Sequence, residues 1–109
     1  MPTVYKTLGQ SNPSATTATT LYTVPSSTST VLSTLTVCNQ ASTSATFRIA
    51  IRPAAASLTA SQYIAYDTPI AANDTIALTL GITLATTDVV TIYASSATMS
   101  FSAFGSEIS

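Results

Sequence analysis

Ala45-Thr46-Phe47-Arg48-Ile49-Ala50-Ile51-Arg52 is the stretch that decides the fold class. Its odd positions are apolar from Phe47 onward, and its even positions hold Thr46 and both arginines of the chain. A period of two is the period of a β-strand, so Phe47, Ile49 and Ile51 share one face, and Arg48 and Arg52 share the other. Pro53 then ends the strand's run of backbone donors. The same alternation returns in Asp74–Leu80, with Ile76, Leu78 and Leu80 inward, and in Ala97–Phe104, with Met99 and Phe101 inward. Gly81 sits where one apolar run meets the next and predicts a bulge or bend.

Working outward, Thr20–Val24 reads as a short strand stopped by Pro25, and Gln62–Tyr66 as another stopped by Asp67-Thr68-Pro69. Val31–Cys38 and Asp88–Ala94 are apolar on both faces, which predicts central strands or strands covered by a neighbouring subunit. Cys38, inside the first of these runs, reads as a small buried residue. Turn-forming clusters stand at Pro25-Ser26-Ser27, Asn39–Ser42, Ala71–Asp74 and Ala85–Asp88. Only 54–60 could form a helical turn. Seven to nine strands with turns every 8–12 residues or so predict an all-β fold, a single antiparallel β-sandwich of jelly-roll or immunoglobulin-like type. Residues 1–20 read as an N-terminal arm or linker, with a short strand at Val4–Leu8, and 21–109 as the sandwich domain.

Composition excludes most chemistry. Charged residues are 6% of 109, the formal net charge is −1, and Ser with Thr exceed a third of the chain. Average soluble domains carry about 25% charged residues. A surface of hydroxyls, methyls and backbone suits a subunit of a permanent assembly, where few charges need desolvation. There is no histidine and one cysteine, so neither a Ser-His-Asp triad nor a zinc cluster can be built. Three basic residues cannot form a nucleic-acid surface. Mean hydropathy is +0.41, yet no run approaches the ~20 apolar residues of a spanning helix. The start lacks a signal-peptide core, so synthesis in a host cytoplasm is expected. No enzyme activity, metal or cofactor is expected, and no membrane or nucleic-acid partner. The Thr spacing lacks the constant interval of an ice-binding grid.

Partner contacts are expected at Val4, Tyr5 and Leu8, through an arm that adds to a neighbour's sheet, and at Arg48 and Arg52, about 13 Å apart at strand rise. The competing reading pairs the arginines with a cross-strand Asp. The five tyrosines could form a sugar platform, though sheet residues with edge hydroxyls explain most of them more simply.

Three stretches together carry a resemblance: Thr20–Pro25; Ser33–Asn39 with Phe47–Pro53; and Tyr63–Asp67 with Asn73-Asp74-Thr75. The stretch Leu80–Leu84 through Phe104-Gly105 fits as well. The chain resembles small β-rich virion structural proteins of tailed bacteriophages, especially marine and cyanobacterial phages. The resemblance covers nearly the whole chain, and its motifs are strands and turns without catalytic residues. It implies a capsid cement or decoration protein in the virion, with a tail or baseplate accessory protein, or a receptor- or glycan-binding tip domain, as alternatives. The implied partners are copies of the chain itself, in a homo-oligomer, and a major capsid protein or tail proteins.

Overall fold

The structure is a computed structural model and describes residues 3–109. Its eight strands are β1 Thr3–Ser11, β2 Thr19–Thr23, β3 Ser29–Asn39, β4 Ala45–Arg52, β5 Tyr63–Ile70, β6 Thr75–Leu84, β7 Val89–Ala94 and β8 Met99–Ile108. Two short 3₁₀ turns, Pro53–Ala55 and Ala60–Gln62, lie between β4 and β5. One sheet has the order β1-β8-β3-β6 and the other β2-β7-β4-β5. Every pair is antiparallel.

A single rule generates this order. β1 pairs with β8, β2 with β7, β3 with β6 and β4 with β5. The chain is one long two-stranded ribbon, doubled back between β4 and β5. Rolling the ribbon up adds the β3–β8 and β4–β7 pairs and closes two sheets over one core. This is the eight-stranded jelly roll. In an immunoglobulin sandwich the first two strands share a sheet; here they lie in different sheets.

The expected alternation holds in β4 and β8: Phe47, Ile49, Met99 and Phe101 are all 0% exposed. The Phe47 and Phe101 rings meet edge to face across the core, centroids 6.3 Å apart. Ile51, Ile76 and Leu78 are half-buried against the core rim. The side chain of Leu80, also expected inward, lies outside the described residues. Leu32, Leu35, Val37, Ile70, Val90 and Ile92 complete the centre.

Three expectations are corrected. Within the described part of the expected arm 1–20, residues 3–20 are not apart from the sandwich: Thr3–Ser11 pairs along β8, from Thr3↔Ile108 to Ser11↔Phe101. The polar stretch after it is pinned, with Asn12 Nδ2 donating to the carbonyls of Ala97 and Met99 and Thr16 N donating to Ala94 O. A strand with no periodic apolar face still completes a sheet, because its backbone groups need partners whatever its side chains are. Next, β5 does not stop at Asp67. It runs to Ile70, with Asp67 at φ 49° forming a bulge, and Pro69 is tolerated because β5 is an edge strand.

Third, Cys38 is not in the core. β3 loses register at Ser33, between Leu32 and Thr34. Its inward residues therefore change from even to odd positions, giving Thr30 and Leu32, then Leu35, Val37 and Asn39. Cys38 falls on the outer face between Thr75 and Ser100. Matching irregularities occur near Leu8 in β1 and at Leu80–Gly81 in β6, so a line of bulges crosses the sheet. Gly81 takes φ +62°, as the predicted bulge requires. β8 crosses this line at Gly105, where a Cβ would overlap the Val31 carbonyl oxygen.

Candidate functional site

The two outer faces of the sandwich differ in chemistry. On the β1-β8-β3-β6 sheet the inward set (Leu35, Val37, Phe101, Ala103, Ile76, Leu78) leaves Thr34, Thr36, Cys38, Ser100, Ser102, Thr75, Ala77 and Thr79 outside. Cross-strand register lines these up in rows, such as Ser102↔Thr36↔Ala77. Tyr5, Val31 and Phe104 rim a depression of about 460 Å³ at the bulge line. The Ser/Thr rows carry no charged residue. Lys6, which also lines the depression, lies opposite Gly105 in register and is paired with Glu107 at 3.3 Å.

The other outer face gathers both arginines and three tyrosines. Alternation in β4 puts Arg48 outward, directly opposite Tyr93 of β7. On its other side the β5 bulge offers two residues, Tyr66 and Asp67, because register passes from Phe47↔Thr68 to Ile49↔Ala65. Arg48 Nε and Nη2 donate to Asp67 Oδ1 and Oδ2 at 2.6 and 3.2 Å. The guanidinium lies over the Tyr66 ring at 4.1 Å and the Tyr93 ring at 4.4 Å, an arrangement that attracts a cation to each ring's negative face. The Asp67 hydrogen bonds raise the Arg48 pKa above the ordinary arginine value, so the group is a permanent cation. Its charge is balanced by Asp67, as the competing sequence reading expected.

Arg52 is engaged as well. It donates to the Ala56 and Ala55 carbonyls at 2.8 and 3.2 Å and to Thr91 Oγ1 at 3.4 Å. These bonds, with Ala54 N donating to Asp88 Oδ1 at 2.9 Å, fold the turn at Pro53–Ala55 against β7. That segment covers Thr91, which is 5% exposed, so the two-sided apolarity of β7 is met within the chain. Ala54 and Ala55 take φ 51° and 57°, a left-handed conformation costing about 1–2 kcal/mol each.

Beyond this segment lies a depression of about 580 Å³, lined by Leu58, Thr59, Ala60, Tyr63 and Tyr66. Tyr63 and Tyr66 stand perpendicular, centroids 4.9 Å apart and planes at 83°. Thr59 and Gln62 hold the floor through a reciprocal capping box. Of its lining, Leu58 and Tyr66 are exposed, Tyr66 at 58%.

Of the expected contact residues, Val4 and Tyr5 are exposed on β1, Tyr5 at 84%, while Leu8 packs against the core rim. Arg48 and Arg52 share a face but are bound into the fold. Alternation found the arginines; their ring partners come from strands distant in sequence and were not paired in advance. Among the described residues no three His, Cys, Asp or Glu side chains cluster as a metal site would require, and no helix is long and apolar enough to cross a membrane. No family model matches the chain, and neither the curated proteins nor the solved structures contain a match to it.

Proposed function

We propose that the chain is a structural protein of a bacteriophage virion, a capsid cement or decoration subunit that docks through the outer face of its β1-β8-β3-β6 sheet. The observation that carries this reading is the uncharged Ser/Thr rows on that face. Short hydroxyl side chains lose little rotamer freedom when covered, and rows without charge avoid the desolvation cost of burying ions. A cement protein bridges neighbouring shell subunits over broad contacts, which such a face suits. Jelly rolls occur in viral capsids but also in lectins and cupins, so the fold alone does not select the role.

Copy number tests the reading. Purified particles should contain hundreds of copies by quantitative gel or by reconstruction, and Thr36→Lys, which sets a charge in the middle of the face, should abolish incorporation while leaving the soluble fold intact. A few copies at one vertex would indicate a tail, baseplate or receptor-binding tip protein instead. Absence from particles would reject a virion role.

A further inference from the structure

The depression lined by Leu58, Thr59, Ala60, Tyr63 and Tyr66 lies on the face opposite the proposed docking surface. We propose that it is a binding site for an uncharged pyranose ring of a polysaccharide. The inference does not depend on where, or whether, the chain sits on a virion.

Four observations point to this ligand. First, the cavity of about 580 Å³ lies within the 300–1,000 Å³ span usual for small-ligand sites. Second, its wall is a right-angled corner of two tyrosine rings. A pyranose has an apolar face of axial C–H groups, which packs on one ring while its edge meets the other. Tyrosine supplies such area at low entropic cost, and Tyr66 is already fixed by the guanidinium at 4.1 Å. Third, no charged residue is among those lining the site; of the nearby charges, Arg48 and Asp67 neutralise one another through two hydrogen bonds, and Arg52 is taken up by the Ala55 and Ala56 carbonyls. An acidic sugar would find no unpaired cation there, and a basic ligand no unpaired carboxylate. Fourth, the rim is rich in hydroxyls. Thr59, Tyr63 and Tyr66 each bring a hydroxyl-bearing side chain to the lining, and Thr59 Oγ1 lies 3.2 Å from Ser61 Oγ. A purely apolar side chain from a partner protein would strip these of water without replacing their hydrogen bonds. Sugar hydroxyls replace the water in kind.

The test is a titration of the full chain, followed by amide NMR shifts, with neutral hexasaccharides (maltohexaose, cellohexaose and mannohexaose) and an acidic one, oligogalacturonate. At least one neutral oligomer should move the resonances of residues 58–66 at millimolar concentration. Tyr66→Ala should weaken that binding about tenfold, the loss of one stacked ring. Tyr5→Ala, which removes an exposed tyrosine on the other sheet, should change nothing. Since Tyr66 also supports Arg48, Leu58→Asp serves as a second variant in the same wall and should weaken binding without touching that pair. No shift with any neutral oligomer overturns the proposal. So does binding of the acidic oligomer alone, or binding unaffected by both Tyr66→Ala and Leu58→Asp.

Discussion

Tyr22→Phe should cost this protein about 2 kcal/mol at neutral pH, and much of that cost should vanish in acid. Tyr22 is 8% exposed on β2, and its hydroxyl reaches across to the facing sheet. It donates to Glu107 Oε2 at 2.5 Å and lies 2.8 Å from Thr30 Oγ1. The phenol has one proton, which the carboxylate takes, so Thr30 must donate to the phenol oxygen. The network ends at Lys6, which reaches the other carboxylate oxygen at 3.3 Å. Removing the hydroxyl deletes a hydrogen bond to a charged group, worth roughly 1.5–3 kcal/mol, and leaves the Thr30 hydroxyl without that acceptor.

The sign follows from Glu107. Its pKa is lowered in the folded state, chiefly by the Tyr22 hydrogen bond. The stability it contributes is therefore complete above its unfolded pKa of about 4.3 and lost as pH falls through the folded value. In acid the bond is neutral and worth nearer 1 kcal/mol. Tyr22 shows the mirror effect: burial first, then Glu107, pushes its pKa up to about 12. Its contribution is complete below the ordinary tyrosine value and fades as pH rises through about 12. Urea unfolding followed by far-ultraviolet circular dichroism, at pH 7 and at the acid end of a descending pH series where the Glu107 transition is complete, measures the difference. At about 4–8 °C per kcal/mol, the melting temperature at neutral pH should drop by roughly 10 °C. Glu107→Gln should flatten the acid dependence. An equal deficit for Tyr22→Phe at both pH values, or none at neutral pH, would refute the reasoning.

Other substitutions probe the rest of the fold. Phe101→Ala empties the core opposite Phe47 and should cost about 3–5 kcal/mol by denaturant titration. Gly105→Ala sets a Cβ against the Val31 carbonyl between two central strands; it should destabilise by more than 2 kcal/mol or so, because backbone rather than a flexible side chain must yield, and a parent-like unfolding midpoint would argue against that close approach. Thr87→Gly should stabilise by about 0.5–1 kcal/mol, since a β-branched residue is held there at φ 67°, and a fall in melting temperature would show that its side chain contributes more than its backbone costs.

The sequence made some of these features legible and hid others for definite reasons. β4 and the first half of β8 alternate without interruption, so their core faces were readable from local pattern alone. β3 was not, because its alternation changes phase at Ser33, and a phase change looks like a strand apolar on both sides. For that reason the local pattern at Cys38 reads as inward, although the residue lies on the outer face. Asp67-Thr68-Pro69 read as a stop because an aspartate at positive φ inside a strand leaves no mark in composition. β1 has no apolar periodicity, and its place beside β8 depends on backbone pairing between the two ends of the chain. The arginine positions were visible, but the aromatic box around Arg48 and the tyrosine corner beside it come from register among three strands and one bulge. Local pattern does not encode cross-strand register.

The ribbon rule also sets an order in time. β4 and β5 are separated by residues 53–62, a smaller span than that within any other ribbon pair, and can pair early, while β1 must wait for β8, whose Ile108 is the partner of Thr3. Loop closure is costlier for each outer pair in turn, and topologies dominated by such distant pairings fold slowly. During synthesis β1 leaves the ribosome before the other seven described strands and is the last of the eight to find its place. Until β8 emerges, both edges of β1 are unpaired, whereas in the finished sheet one of them is held by β8. When many copies are made at once, that interval, rather than the stability of the finished fold, sets the risk of misassembly.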